Sequence, residues 1–209
     1  MNIRETFRTN PVLVIMRNIP MDITIDYAQT AFDGGVRMFE VAMNSEHGLE
    51  QIAMLAKHFS GGAHIGAGTA ITVDKAKAAL DAGAEYLLTP SAPLAVLDYC
   101  AKNAVPFLPG VLTPTDVGTC LEYGFDTLKL FPAGDMPRSY VKSLKGPFDG
   151  TEYVAIGGVS PDTLGDFLGA GYLGAGMGLN LYPKDMLEQR QWDKAAAYIA
   201  DKLARALKK

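Results

Sequence analysis

Cysteine is nearly absent from this sequence, which contains two cysteines in 209 residues. Both Cys100 and Cys120 fall within predicted helices, and neither shows the spacing of metal ligands. This scarcity excludes a small disulfide-stapled scaffold and a cysteine-rich zinc protein. We interpret the two thiols as small buried groups in a reducing compartment, so the expected location is the cytoplasm.

An excess of positive charge and long apolar runs are also missing. The net charge is −4 at pH 7 and the isoelectric point is about 5.4, which offers no electrostatic footprint for nucleic acid or for an anionic membrane surface. No apolar run approaches the length of a membrane span, and Met1 to Glu5 lack the apolar core of a signal peptide. We therefore expect neither a nucleic-acid partner nor a membrane partner.

Histidine occurs only three times. The positions of His47 and His64 match no metal-binding motif, and no clustered carboxylates accompany them. Because a metal-dependent mechanism needs such a ligand set, the sequence predicts no metal site.

What the sequence does contain is a regular alternation of short β-rich runs and helical patterns. A hydrophobic content of 48% with 20% charged residues is typical of a globular protein, and residues 1–209 are expected to form one domain. The predicted strands are residues 12–17, 36–43, 63–66, 86–89, 105–109, 127–130, 153–156 and 173–177. Eight strands, each followed by a helix, predict a single α/β domain, a (β/α)8 TIM barrel with a short N-terminal helix.

The predicted helices fill the segments between these strands. They include residues 50–58, 73–81, 92–103, 115–123, 140–144, 161–168 and a closing amphipathic segment at about 190–207. Thr72 and the Ser160-Pro161 pair are start signals, with proline at the first helical position. Runs that are apolar throughout, such as residues 11–16, are typical of strands buried on both faces. An open, doubly wound sheet is the alternative architecture for this pattern.

Lys129 has the most unusual environment among the lysines, because it alone lies in a predicted strand. Its neighbours Leu128, Leu130 and Phe131 are apolar, and burial among them disfavours the charged form and lowers the pKa of an amine. An amine that is neutral near pH 7 can attack a carbonyl carbon and form a Schiff base. The alternative is an edge-strand lysine whose stem packs while its ammonium reaches water.

Glu40 is a carboxylate inside the apolar strand at residues 36–43. Such a group is costly to bury unless it is paired or protonated, which suits a residue that exchanges protons. The alternative is a structural ion pair between a glutamate and a lysine inside the barrel. Together, one inward acid and one inward amine match imine chemistry, which requires several proton transfers.

Further candidates lie where the predicted strands end, because barrel active sites form at those ends. Gly157, Gly158 and Gly178 follow the last two strands, where backbone N–H groups of barrels bind phosphate, although such glycines can also simply end strands. Arg17 follows the first strand and can clamp a carboxylate, or can be an ordinary surface arginine. Three hydroxyl residues near other strand ends can orient substrate or cap helices, namely Thr69, Thr89 and Ser91.

Six motifs occur in an order that resembles the class I aldolases for 2-keto-3-deoxy-6-phosphogluconate and 2-keto-3-deoxy-6-phosphogalactonate. They are Gly35-Val-Arg-Met-Phe-Glu-Val-Ala-Met-Asn-Ser45, Ile65-Gly-Ala-Gly-Thr69, Thr89-Pro90, Pro109-Gly110, Leu128-Lys-Leu-Phe-Pro132 and Ala155-Ile-Gly-Gly-Val159. The resemblance covers residues 11–183. It implies a carbon–carbon lyase that needs no cofactor and that assembles as a homotrimer.

The resemblance also implies roles for individual residues. Lys129 would form the Schiff base with pyruvate, and Glu40 would be the general acid and base. Thr69 and Pro90 would line the pyruvate pocket, and Phe131 would pack beside the imine.

Two positions indicate the phosphogalactonate branch of the family. The phosphogluconate type has an arginine four residues after the glutamate, whereas this chain has Asn44 there and Arg17 at the end of the first strand. Asn44 is therefore counted among the substrate-binding residues, and Arg17 with Thr69 would hold the substrate carboxylate. One departure concerns phosphate, since Leu179 stands where the family commonly has a serine hydroxyl. Phosphate would then be held by the N–H groups of Gly157, Gly158 and Gly178.

The expected reaction is cleavage of a 2-keto-3-deoxy-6-phospho sugar acid to pyruvate and glyceraldehyde 3-phosphate. One alternative is an aldolase for an unphosphorylated 2-keto acid, such as 4-hydroxy-2-oxoglutarate or a free 2-keto-3-deoxy sugar acid, which Leu179 favours. The other is a non-catalytic phosphosugar-binding barrel, which would have no use for a buried lysine beside a buried glutamate.

Overall fold

The computed structural model describes residues 1–208 and contains one sheet of nine parallel strands. The strands are β1 (Val12–Met16), β2 (Met38–Ala42), β3 (His64–Gly68), β4 (Tyr86–Leu88), β5 (Phe107–Leu108), β6 (Gly110–Val111), β7 (Thr127–Leu130), β8 (Glu152–Ile156) and β9 (Gly174–Met177). All eight predicted strands are present, and the ninth, β6, begins at Gly110, just beyond the end of the predicted fifth strand at 105–109, so that Pro109 splits this part of the sheet into two short strands.

The split explains how the sheet closes. The strand order is β5-β4-β3-β2-β1-β9-β8-β7-β6, so the two edge strands are consecutive in the chain and are separated only by Pro109. Proline has no N–H to donate to a ladder, but the carbonyl of Pro109 accepts a hydrogen bond of 2.9 Å from the N–H of Lys129. The chain itself thus joins the two edges, and the predicted barrel, rather than an open sheet, is confirmed.

Helices cover the outside of the barrel. They are α1 (Ile3–Thr9), α2 (Thr24–Asp33), α3 (Gly48–Phe59), α4 (Val73–Asp81), α5 (Leu94–Lys102), α6 (Pro114–Glu122), α7 (Tyr140–Lys145), α8 (Leu164–Ala170), α9 (Lys184–Glu188) and α10 (Trp192–Ala206). Short 3-10 helices occur at Met21–Ile23, Ala133–Asp135 and Leu179–Leu181. Within residues 1–208, none of these helices combines the length and the apolar character that a membrane span requires.

Helix starts were predicted with mixed success. Thr72 accepts a hydrogen bond from the N–H of Lys75 and caps α4, as expected. The predicted start of α8 at Pro161 is wrong, because the helix begins three residues later. The hydroxyl of Thr163 accepts a 3.0 Å hydrogen bond from the N–H of Ser160, and this local contact holds the intervening residues in a turn.

Alternation along the strands separates two apolar layers. Outward-facing residues such as Phe39 and Leu128 pack against the helices. Inward-facing residues fill the barrel, among them Leu13, Tyr86 and Val154. The same alternation decides which polar side chains of the strands point inward.

Helix α1 closes the amino-terminal end of the barrel. Ile3 and Phe7 belong to the interior cluster, and Phe7 is fully buried. A Cβ atom on Gly174 would lie 2.5 Å from Cδ1 of Phe7, so only glycine leaves room for this ring at the barrel floor. Arg4 fastens the helix, because its guanidinium donates to the carbonyls of Asp126 and Gly150 at 3.0 and 2.7 Å.

We expect Phe7→Ala to lower the free energy of unfolding by about 3–5 kcal/mol, since it leaves a cavity at the barrel floor that the surrounding strands cannot fill. Urea unfolding followed by circular dichroism measures this loss. Leu207→Ala is the control, because that side chain is 56% exposed and its removal should change stability by at most about 0.5 kcal/mol. Equal effects of the two substitutions would show that α1 does not close the barrel.

Candidate active site

A cavity of about 420 Å³ opens at the carboxyl-terminal ends of the strands. Eight of the ten predicted site residues line it, namely Arg17, Glu40, Pro90, Lys129, Phe131, Gly157, Gly158 and Gly178. The wall is completed by Ile15, Ile156, Val159, Gly176, Leu179 and Asn180. The closed barrel therefore brings together residues that are up to 161 positions apart in the chain (178 − 17).

Lys129 lies on β7 and points into this cavity. Its neighbours Leu128 and Leu130 belong to the outer apolar layer, so alternation turns Lys129 inward. The side chain is almost completely buried, and Nζ lies 5.2 Å from the centroid of the Phe131 ring. Burial lowers the pKa of the Lys129 amine, the negative charge of Glu40 opposes this shift, and the positive charge of Arg17 adds to it. The result is an amine that loses its proton more readily than an exposed lysine does.

Glu40 lies on β2, where its backbone pairs with Ile15 of β1 and Gly66 of β3. The side chain is 1% exposed, and both carboxylate oxygens are buried without a hydrogen-bond partner among the described residues. Glu40 and Lys129 influence each other electrostatically, yet no ion pair within 4.0 Å joins them in that part of the chain. An unpartnered buried carboxylate can exchange protons with a molecule in the cavity.

Gly68 on β3 makes room for this carboxylate. A Cβ atom at that position would lie 1.5 Å from Oε1 and 2.2 Å from Cδ of Glu40. Gly68 lies within the Ile65–Thr69 motif, but no role of its own was predicted for it from the sequence. The signal was present, because Gly66 and Gly68 alternate on the strand beside Glu40 and face the same side.

Arg17 is held at the rim of the cavity by two neutral side chains. Its Nη1 donates to Oδ1 of Asn44 at 2.8 Å, and its Nη2 donates to Oγ1 of Thr69 at 3.4 Å. Among the described residues no carboxylate pairs with this guanidinium. Asn44 and Thr69 do not line the cavity themselves, so they reach it through Arg17.

The backbone at Thr69 is also unusual. Its φ of 60° lies in the left-handed region, which a β-branched residue rarely adopts. Backbone strain of this kind is concentrated at functional sites.

The turn after β8 forms the glycine-lined wall of the cavity. Gly157 and Gly158 have φ values of 89° and 71°, which glycine adopts without strain. A Cβ on Gly157 would come within 3.1 Å of the Phe131 ring. Gly134, in the turn after β7, donates its N–H to the carbonyl of Gly157 at 2.8 Å. The turn that follows β7 is thus packed directly on Gly157 and Gly158. This contact was not predicted from the sequence.

Leu179 adds an apolar surface beside this wall. The side chain is 55% exposed and lines the cavity next to Gly178 and Asn180. The charged residues that line the cavity are Arg17, Glu40 and Lys129, and none belongs to the turns after β8 and β9. An anion at the glycine wall would therefore rely on backbone N–H groups for its hydrogen bonds.

Other polar features of the described residues lie outside this cavity. No group of three or more histidine, cysteine, aspartate or glutamate side chains within residues 1–208 is arranged to hold a metal ion. His64 contacts Glu85, with 2.7 Å between Nδ1 and Oε2. A second cavity of about 540 Å³ lies against α1 at the opposite end of the barrel, where Arg4 is paired with Asp126 at 3.0 Å.

Known proteins are similar to this chain in sequence and in fold. Residues 3–198 match the family model of the KDPG and KHG aldolases. The 2-dehydro-3-deoxy-6-phosphogalactonate aldolase of Escherichia coli (strain K12) is 30% identical over 191 residues, which cover 90% of this chain and 93% of that protein. A 2-dehydro-3-deoxy-phosphogluconate aldolase of Pseudomonas aeruginosa is 30% identical over 190 residues, which cover 88% and 83%.

Solved structures agree with the sequence matches. A native KDPGal structure superimposes with a TM-score of 0.85 at 28% identity, and the match covers 95% of this chain and 97% of that one. These findings confirm the resemblance that the six sequence motifs indicated. The chain therefore belongs to the KDPG and KHG aldolase family, whose members are carbon–carbon lyases.

Proposed function

We propose that this protein is a class I aldolase that cleaves 2-keto-3-deoxy-6-phosphogalactonate, or its gluconate epimer, to pyruvate and glyceraldehyde 3-phosphate. The observation that carries the proposal is the presence, in one cavity, of a buried amine of lowered pKa and of a buried carboxylate that has no hydrogen-bond partner among the described residues. Relatives named for these two substrates support the choice of substrate.

The first half of the reaction attaches the substrate to Lys129. The neutral amine attacks the C2 ketone, and proton transfers give a carbinolamine. The carbinolamine then loses water and becomes a protonated imine. Glu40 moves these protons through a water molecule. Because neither carboxylate oxygen has a hydrogen-bond partner among residues 1–208, both are available to exchange protons.

The second half breaks the carbon–carbon bond. Glu40 takes the proton of the C4 hydroxyl, the C3–C4 bond opens, and its electron pair moves into the imine to form an enamine. Glyceraldehyde 3-phosphate leaves, and the proton held by Glu40 passes to C3, which turns the enamine back into an imine. Water then hydrolyses the imine to release pyruvate and free Lys129. The steps use only acid–base and amine chemistry of the chain itself, and Phe131 packs beside the imine.

The two ends of the substrate are held by different kinds of group. Arg17, together with Thr69, binds the carboxylate, since a guanidinium suits a planar anion. The phosphate lies at the glycine wall and accepts hydrogen bonds from the N–H groups of Gly157, Gly158 and Gly178. Pro90 completes the pyruvate pocket.

The second candidate function is cleavage of an unphosphorylated 2-keto acid, such as 4-hydroxy-2-oxoglutarate. Leu179 favours it, because an exposed leucine in the cavity offers no hydrogen bond where phosphate would lie. A steady-state comparison of kcat/KM for the galacto and gluco substrates, each with and without phosphate, decides between the two functions.

We also propose that the enzyme is cytoplasmic and homotrimeric. The buried and unpaired thiols of Cys100 and Cys120 support a reducing compartment. The trimer rests on the family resemblance.

The first test of the proposal is chemical trapping. Borohydride added with pyruvate should reduce the imine and increase the protein mass by one reduced pyruvate unit, localised by peptide mapping to Lys129. Lys129→Met should abolish trapping and cleavage, because methionine fills the same space without an amine. Its circular dichroism spectrum should remain that of the wild type.

Lys142→Met is the matched control, because Lys142 lies on the exposed surface of α7. Trapping and activity should both survive in this variant. A pyruvate adduct on any lysine other than Lys129 would refute the mechanism.

Glu40→Gln tests the carboxylate in two ways. Loss of the proton carrier should lower kcat by about a hundredfold or more. The negative charge of Glu40 raises the pKa of Lys129, so its removal should lower that pKa. The acid limb of the pH profile for pyruvate trapping should therefore move to lower pH in the variant. A limb that moves to higher pH would contradict the assigned interaction.

Gly134→Ala tests the glycine wall. The new Cβ would lie 2.7 Å from Cα of Gly158 and 2.8 Å from the carbonyl oxygen of Gly157, so the turn must shift. We expect kcat/KM for the phosphorylated substrate to fall about tenfold relative to the unphosphorylated one, as hydrogen bonds to a charged group are lost. Pyruvate trapping should persist.

Gly118→Ala is the control for this substitution, because a Cβ at that helical position meets no atom within 4 Å. An equal loss for both substrates in Gly134→Ala would mean that the turn has no selective role toward phosphate.

A further inference from the structure

Two adjacent residues after β2 hold the segment that carries Arg17. Asn44 accepts the hydrogen bond from the Arg17 guanidinium at 2.8 Å. Ser45 accepts a hydrogen bond of 3.0 Å from the N–H of Asn18, whose φ of 53° is left-handed. The Asn44-Ser45 pair thus fixes the side chain of Arg17 and the main chain that follows it.

The chemistry of these contacts matters because Arg17 is exposed. A long exposed side chain samples many rotamers, and ordering it when a ligand binds costs conformational entropy. A hydrogen bond formed in advance removes part of that cost. An amide oxygen can accept it without cancelling the positive charge, whereas a carboxylate in the same place would neutralise the guanidinium.

We propose that Asn44 is a positioning residue, which orders the Arg17 guanidinium at the rim of the cavity with a neutral acceptor so that its full charge remains available to the substrate carboxylate. The inference rests on the proposed function, in which Arg17 binds that carboxylate. It changes the expected role of Asn44, because this side chain contacts Arg17 and does not line the cavity.

Electrostatics couple this arrangement to the amine. The charge of Arg17 lowers the pKa of Lys129, so a new negative charge at position 44 should raise it again. Loss of the hydrogen bond alone should act mainly on carboxylate binding. Two substitutions of Asn44 therefore separate position from charge.

The experiment measures borohydride trapping with pyruvate alone, as a function of pyruvate concentration and of pH. Asn44→Ala and Asn44→Asp should each raise the half-saturating pyruvate concentration about tenfold, since the first frees the guanidinium and the second neutralises it. Only Asn44→Asp should move the acid limb of the pH profile to higher pH. Asn103→Asp on the exposed end of α5 adds the same charge elsewhere and should change neither quantity.

A double-mutant cycle tests whether Asn44 acts through Arg17. In the Arg17→Ala background, Asn44→Ala should change the half-saturating concentration by less than about twofold. A full tenfold effect in that background, or no effect in the wild-type background, would overturn the inference while leaving the aldolase proposal intact. A wild-type protein that traps no pyruvate would overturn the proposed function, and this inference with it.

Discussion

The burial of two ionisable side chains inside one apolar barrel is the constraint on which the rest of the structure depends. Lys129 and Glu40 lie on β7 and β2, and both are almost fully removed from water. Desolvating such groups costs on the order of several kcal/mol each. The burial of the other, apolar side chains of the interior offsets this cost. Phe7 closes this interior at one end, and the β5–β6 junction closes the sheet around it. Burial in this interior in turn lowers the pKa of the Lys129 amine, which favours the neutral form that imine formation requires.

Glycine supplies the space that this arrangement needs. The Glu40 carboxylate occupies the volume that a side chain at position 68 would fill, and the turn after β8 approaches Gly134 closely enough to exclude a Cβ. In both places, a main chain without a side chain lets a reactive or ligand-binding segment come within van der Waals contact. Packing at these glycines therefore sets the space in which the cavity residues lie.

The site residues that could be predicted from the sequence are those whose charge is unusual for the apolar segment around them. Lys129 and Glu40 are charged residues in apolar strands, and the alternation of strands and helices indicated the barrel that brings them together. The roles of Gly68 and Gly134 were not predicted. Each glycine leaves space for a residue that is distant in the chain, and that contact is visible only in the folded structure. The strand β6 after Pro109 and the delayed start of α8 were also not predicted. Strand β6 is only two residues long, too short for a periodic pattern. The start of α8 follows a turn held by a hydrogen bond to the hydroxyl of Thr163, which no periodicity encodes.

Charge is distributed unevenly around the cavity. In the proposed function, this asymmetry orients the bound substrate. Arg17 supplies an accessible positive charge held by neutral partners, whereas the turns after β8 and β9 contribute glycines and Leu179 without any charged side chain. A keto acid entering with its carboxylate toward Arg17 would place its carbonyl carbon near the buried Lys129 amine and near the Glu40 carboxylate, whose oxygens have no hydrogen-bond partner among the described residues. The remainder of its chain must then extend along the glycine wall. In the proposed function, the keto-acid end is therefore recognised by the charge of Arg17, and the other end by the backbone of the glycine wall.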